Sequence, residues 1–156
     1  GIADEVTVVG PGINGKMNEV QSAFGLLQLK HLPEGLARRR EVDRRYRQAL
    51  WSVPGLEIPV ANPEVEGNYS YFPVRVGSGF RMSRDALYER MRSAGVFARR
   101  YFYPLVSQMP MYRGLPSAAP EHLPMASQIT QEVLCLPIHA ELGEAEQERV
   151  ITIIKG

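Results

Sequence analysis

The residues best suited to chemistry fall in two places. Asn14 stands in the turn Gly10-Pro11-Gly12-Ile13-Asn14-Gly15, directly ahead of an apolar run with helical spacing. A side-chain amide at a helix N-terminus can donate to a phosphate, because the orphan N–H groups and the helix dipole favour an anion there. The same amide can instead cap the helix by accepting from its backbone. Lys16 adds a positive charge that could assist the same anion, or stands as an ordinary exposed lysine. The second place is Arg99-Arg100-Tyr101-Phe102-Tyr103-Pro104. Arginine pairs with a diphosphate, and tyrosine packs on a ring or donates to a hydroxyl, so Arg100, Tyr101 and Tyr103 suit a ligand that carries both. The competing reading is a strand that alternates core and surface side chains.

Other reactive types are poorly arranged. His31, His122 and His139 have no carboxylate or nucleophile at diagnostic spacing, which argues against a histidine-based hydrolase. Cys135 is the sole cysteine. An intrachain disulfide is therefore excluded, a zinc site is disfavoured, and a reducing cytoplasmic setting is expected. No catalytic residue and no metal ligand is assigned.

The elements that must position these residues can be read from periodicity. Met17, Val20, Phe24 and Leu27, widened by Ala23, Leu26 and Leu29, predict a buried helix. Pro33 is expected to break it and to open a second helix that turns Val42, Tyr46, Ala49, Leu50 and Val53 inward. Tyr69 to Val76 alternates as a half-buried strand, placed at a sheet edge because Pro73 lacks an N–H. Ser83 caps a helix running to Ala94, with Met82 and Leu87 as a staple and Gly95 as the left-handed stop. A strand at about 97–103, a loop to about Pro120, a short helix from Pro124, a strand over Val133–Leu136 and a helix over Gly143–Lys155 complete the order. The expected class is α+β: long N-terminal helices, then a small, largely antiparallel sheet covered by helices. The boundaries expected are 1–54 for the turn and long helices and 55–156 for a compact α+β domain.

Composition narrows the function classes. The 156 residues are 44% hydrophobic with a formal charge of +1, enough for a core and no argument for nucleic acid or membrane as a partner. Arg38-Arg39-Arg40 lies among Glu34, Glu41 and Asp43 and reads as a solvated helix face. No run has the length of a spanning helix and no signal-peptide pattern opens the chain. Gly1-Ile2-Ala3-Asp4 resembles the middle of a loop more than a natural beginning.

Gly12-Ile13-Asn14-Gly15-Lys16-Met17 with Glu19, Ala23, Gly25 and Gln28-Leu29 resembles the helix-opening motif of the DegT/StrS-type aminotransferases, pyridoxal-phosphate enzymes that aminate keto sugars. Arg40 and Tyr46, the segment Arg100 to Leu105, and Glu132-Val133-Leu134-Cys135-Leu136-Pro137-Ile138-His139 extend the resemblance along essentially the whole chain. Val106 departs from it, since many relatives carry His there. The resemblance implies the C-terminal, small-domain part of a fold-type I aminotransferase whose large cofactor-binding domain is absent here. It implies pyridoxal phosphate as cofactor, a nucleotide-linked keto-deoxysugar and an amino donor as substrates, and a homodimer in which Asn14 reaches the neighbouring subunit's cofactor phosphate. None of Lys16, Lys30 and Lys155 sits in the family's Schiff-base context, so this segment alone is expected to be inactive. The alternative is a truncated, non-catalytic dimerisation or binding module.

Overall fold

The computed structural model describes residues 15–156. The chain divides into two compact units, Gly1–Glu34 and Gly35–Gly156. Helix α1, Glu19–Leu50, runs through the boundary with Pro33 inside it, so the expected break at Pro33 does not occur. Proline removes one helical N–H donor and crowds the carbonyl four residues back. Leu29, which owns that carbonyl, is exposed, so water can satisfy the freed acceptor.

In the first unit, α1 is started by a reciprocal cap. The Asn18 side chain accepts from the Gln21 N–H at 2.9 Å, and the Gln21 side chain accepts from the Asn18 N–H at 3.3 Å. The stripe expected to be buried is exposed: Met17 is 73% and Phe24 62% accessible, and Val20 and Leu27 are also open. Periodicity identifies an amphipathic face, but burial needs a covering surface, and no described residue of this chain supplies one.

The second unit is built on a three-stranded antiparallel sheet in the order β1 (Leu56–Glu57), β2 (Phe72–Val76), β3 (Val133–Leu136). Phe72, Val74 and Val76 point to one face with Leu134 and Leu136. That face packs with Val42, Tyr46 and Leu50 of α1, Leu87 and Met91 of α2 (Arg84–Ser93), and Val150, Ile151 and Ile154 of α4 (Glu144–Lys155). Helix α3, Pro124–Glu132, leads directly into β3, and three short 3₁₀ turns lie between Val106 and His122. The expected small, helix-covered antiparallel sheet is present.

Pro73 lies in the central strand, not at an edge, and the ladder geometry explains why it is tolerated. Pro73 pairs with Cys135, whose N–H and C=O are both spent on Arg99, at 2.7 and 3.0 Å. Pro73 and Cys135 are therefore a non-hydrogen-bonded pair, and the proline nitrogen points away from β3. On that other side β1 reaches only Arg75 and Val76, so no partner needs the missing donor.

The strand expected over 97–103 reduces to one bridge, Arg99 with Cys135. The next hydrogen-bonded pairs in that register would be Phe97 with Pro137 and Tyr101 with Val133. Pro137 has no N–H to give. The Val133 N–H is bonded to the Ile129 carbonyl, and its C=O accepts from the Arg84 side chain at 3.0 Å. At both ends the ladder lacks a free backbone N–H on the β3 side. The expected helix caps do form: the Ser83 hydroxyl accepts from the Ala86 N–H at 3.2 Å, and Gly95 has φ 74°. Gly55 has φ 73°, and a Cβ there would sit 1.9 Å from the Phe80 nitrogen, so the turn into β1 requires glycine.

Two side chains tie the layers together. Tyr46 is fully buried, its ring centroid lies 5.0 Å from that of Phe72, and its hydroxyl donates to the Pro137 carbonyl at 3.0 Å. Burial pushes its phenol well above the ordinary value. Tyr46→Phe keeps the ring and orphans the carbonyl, so urea denaturation should show a loss of about 1–2 kcal/mol with an unchanged m value. On the outer face Arg75 bonds Glu132 and also reaches Glu57 at 3.0 Å. The hydrogen bond from Arg75 holds the Glu132 carboxyl below its ordinary value of 4.5. A depressed carboxyl stabilises the fold above its unfolded value, and that contribution is lost as pH falls through the folded value. Glu132→Gln should therefore flatten the fall in Tm below about pH 4.5; an unchanged acid limb would contradict the pairing.

Candidate functional site

The polar and aromatic segment after the Arg99 bridge is drawn into two clusters, both in the Gly35–Gly156 unit. In the first, Arg99 bonds the Tyr101 hydroxyl and its guanidinium carbon lies 5.3 Å from the Tyr101 ring centroid. Tyr101 stacks on Phe102 at 4.9 Å and meets Tyr71 edge-on at 5.6 Å. A cleft of about 570 Å³ opens here, lined among others by Tyr71, Phe97, Arg99, Tyr101, Cys135 and His139. Arginine with flanking aromatic faces can receive a planar ring and an anionic group together.

The second cluster holds Arg100 and Tyr103. Arg100 lies 4.4 Å from the Tyr88 ring centroid and 5.4 Å from that of Tyr103, and its guanidinium is 3.1 Å from Asp85. The same Asp85 oxygen accepts from Arg84 at 2.8 Å, and the Arg84 guanidinium lies 5.2 Å from the Tyr103 ring. One carboxylate thus serves two guanidinium groups, leaving a positive surplus beside an exposed tyrosine. Arg100, read from sequence as a diphosphate contact, is held by a carboxylate and two aromatic rings. Helix α2 supplies Arg84, Asp85 and Tyr88, none of which the sequence reading singled out. The available signal was Arg84 itself: a cation at the first position of a helix opposes the dipole and needs a separate reason to be there.

Lys16 is exposed, and Asn14 lies outside the described residues. The cap of α1 is supplied by Asn18. Val106 is exposed at the start of a 3₁₀ turn.

A lysine that holds pyridoxal phosphate must be partly neutral at working pH, which calls for desolvation or a neighbouring cation. Lys16, Lys30 and Lys155 are the chain's lysines and all three are exposed. They do not fit that role, and no step through the cofactor is assigned to them. Among the described residues, no helix is long and apolar enough to cross a membrane.

The comparisons with known proteins place this geometry. The chain belongs to the DegT/DnrJ/EryC1/StrS aminotransferase family, whose profile matches residues 2–155. It is 47% identical over 156 residues to the dTDP-4-amino-4,6-dideoxy-D-glucose transaminase of Escherichia coli, covering 100% of this chain and 42% of that protein. With the transaminase of the same name from Shigella dysenteriae the identity is 39% over 155 residues, covering 99% of this chain and 42% of that one. The crystal structure of DesV from S. venezuelae superposes with a TM-score of 0.82 at 28% identity, covering 98% of this chain and 40% of that chain. The chain therefore spans about 42% of the length of these curated relatives.

Cys135 lines the cleft but is buried, and burial pushes its thiol upward. The thiolate, which is the reactive form, is correspondingly scarce. Native protein should react with a disulfide reagent at pH 8 far more slowly than urea-unfolded protein; equal rates would contradict the burial.

Proposed function

We propose that this chain is the C-terminal part of a pyridoxal-phosphate-dependent aminotransferase that aminates a nucleotide-linked keto-deoxysugar. The family match over residues 2–155 carries the reading, since the relatives it brings include transaminases of dTDP-linked amino sugars. The coverage of about 42% of those relatives supports a part rather than the whole. Arg100, Tyr101 and Tyr103 contact the substrate in this reading, guanidinium groups favouring the diphosphate and aromatic faces the rings. Asn14 reaches the cofactor phosphate of a neighbouring subunit in a homodimer, and Lys16 adds to the field around that anion. In this reading the amino donor acts through the large domain of the full enzyme, in the cytoplasm.

The exposed apolar stripe of α1 supports the same reading. Met17, Val20, Phe24 and Leu27 form a face that a larger protein would cover, and an uncovered face of that kind is a liability on a free-standing domain. The exposed lysines favour the inactive standing of the segment by itself, and a truncated dimerisation or binding module is the second reading they allow.

Adding pyridoxal phosphate and then borohydride to the purified 156-residue chain distinguishes activity from its absence. The expected result is no cofactor mass fixed at one lysine and no amino transfer to a dTDP-linked keto sugar. Stoichiometric fixation at a single lysine would overturn the inactivity of the segment.

A further inference from the structure

Arg84 is only 1% exposed, yet the family reading gives it no part. Its Nε donates to Asp85 at 2.8 Å, and its Nη1 donates to the Thr130 and Val133 carbonyls, each at 3.0 Å. Its Nη2 is buried with no hydrogen-bond partner. Its guanidinium carbon instead lies 5.2 Å from the centroid of the Tyr103 ring. A desolvated cation gains most from an aromatic face, because water no longer competes for it.

We propose that Arg84 is a positioning residue that sets the segment Tyr101–Leu105, and that it acts on Tyr103 through the ring face and not through the hydroxyl. Three interactions converge on this. Arg84 binds the Val133 carbonyl, which lies opposite Tyr101 in the register of the Arg99 bridge, and so anchors β3 beside the point where the chain leaves the sheet. By presenting its guanidinium to Tyr103 while donating to the Thr130 and Val133 carbonyls, it links that ring to the end of α3 and the start of β3. By sharing Asp85 with Arg100, which is itself stacked on Tyr88 and Tyr103, it couples the second guanidinium to the same ring. The Thr130 hydroxyl fixes the intervening residue by donating to the Phe102 carbonyl at 2.8 Å.

Because Tyr103 is 45% exposed, changing it tests the contact without opening the core. In ¹⁵N spectra of the 156-residue chain, the Arg84 guanidinium N–H signals should be shifted upfield by the ring and slow to exchange. Tyr103→Phe should keep both properties and Tyr103→Leu should lose the upfield shift. The proposal is overturned if Leu leaves the signals in place or if Phe abolishes them. The functional consequence rests on the nucleotide-sugar reading and has its own arm. In the complete transaminase, Arg84→Lys should raise the KM for the nucleotide-sugar by roughly tenfold or more, with a much smaller change in the KM for the amino donor. Equal changes in both would reduce Arg84 to a general stability role. A wild-type enzyme that did not turn over a nucleotide-sugar would remove the functional reading, while the spectra would still decide the positioning of Tyr103.

Discussion

The antiparallel pairing of β2 with β3 is the constraint on which the second unit depends. It aligns Phe72, Val74 and Val76 with Leu134 and Leu136 on one face, and Tyr46, Leu50, Leu87, Met91 and Ile154 are buried because that face exists to receive them. A shift of one residue in this register would turn the whole apolar set outward. The same pairing fixes which backbone groups of β3 face the other way. Cys135 offers its pair to Arg99, while Val133 is already committed to α3 and Arg84, and the chain between Arg99 and Pro104 leaves the sheet as a consequence.

The candidate site follows from that departure. Had the segment continued as a strand, alternate side chains would have pointed into and out of the sheet. Arg99 and Tyr101 line the cleft two residues apart, as a strand would also place them, whereas leaving the sheet lets Arg100 and Tyr103, three apart, assemble together with α2. The electrostatics there rest on one carboxylate: Asp85 offsets part of the charge of Arg84 and Arg100, leaving an environment that favours an anion without leaving both cations unpaired.

Much of this was legible in the chain. The Ser83 cap, the Gly95 stop, the Phe72–Val76 alternation and the apolar spacing of Val150, Ile151 and Ile154 are local signals, and tertiary structure agrees with them. Pro33 and Pro73 were harder, because proline reports a missing donor but not whether any acceptor needs it. Leu29 is exposed, and β1 is too short to reach Pro73, so neither loss is felt. The α1 stripe shows the opposite limit: its helical spacing is correct, yet the surface that would bury it is not among the described residues. Arg84 was missed because its partners, Thr130, Val133 and Tyr103, lie far along the chain, and only a strand register reveals that Val133 has a carbonyl to be taken.

The family's fold is carried here by a segment that the proposal makes dependent on a preceding large domain. A domain replacement tests this most directly: the corresponding 42% of the Escherichia coli relative is exchanged for this chain, and amino transfer to the relative's sugar substrate is measured. The account predicts a folded chimera that transaminates that sugar, with activity absent from either part alone. A chimera that folds and dimerises but transfers no amino group would contradict it.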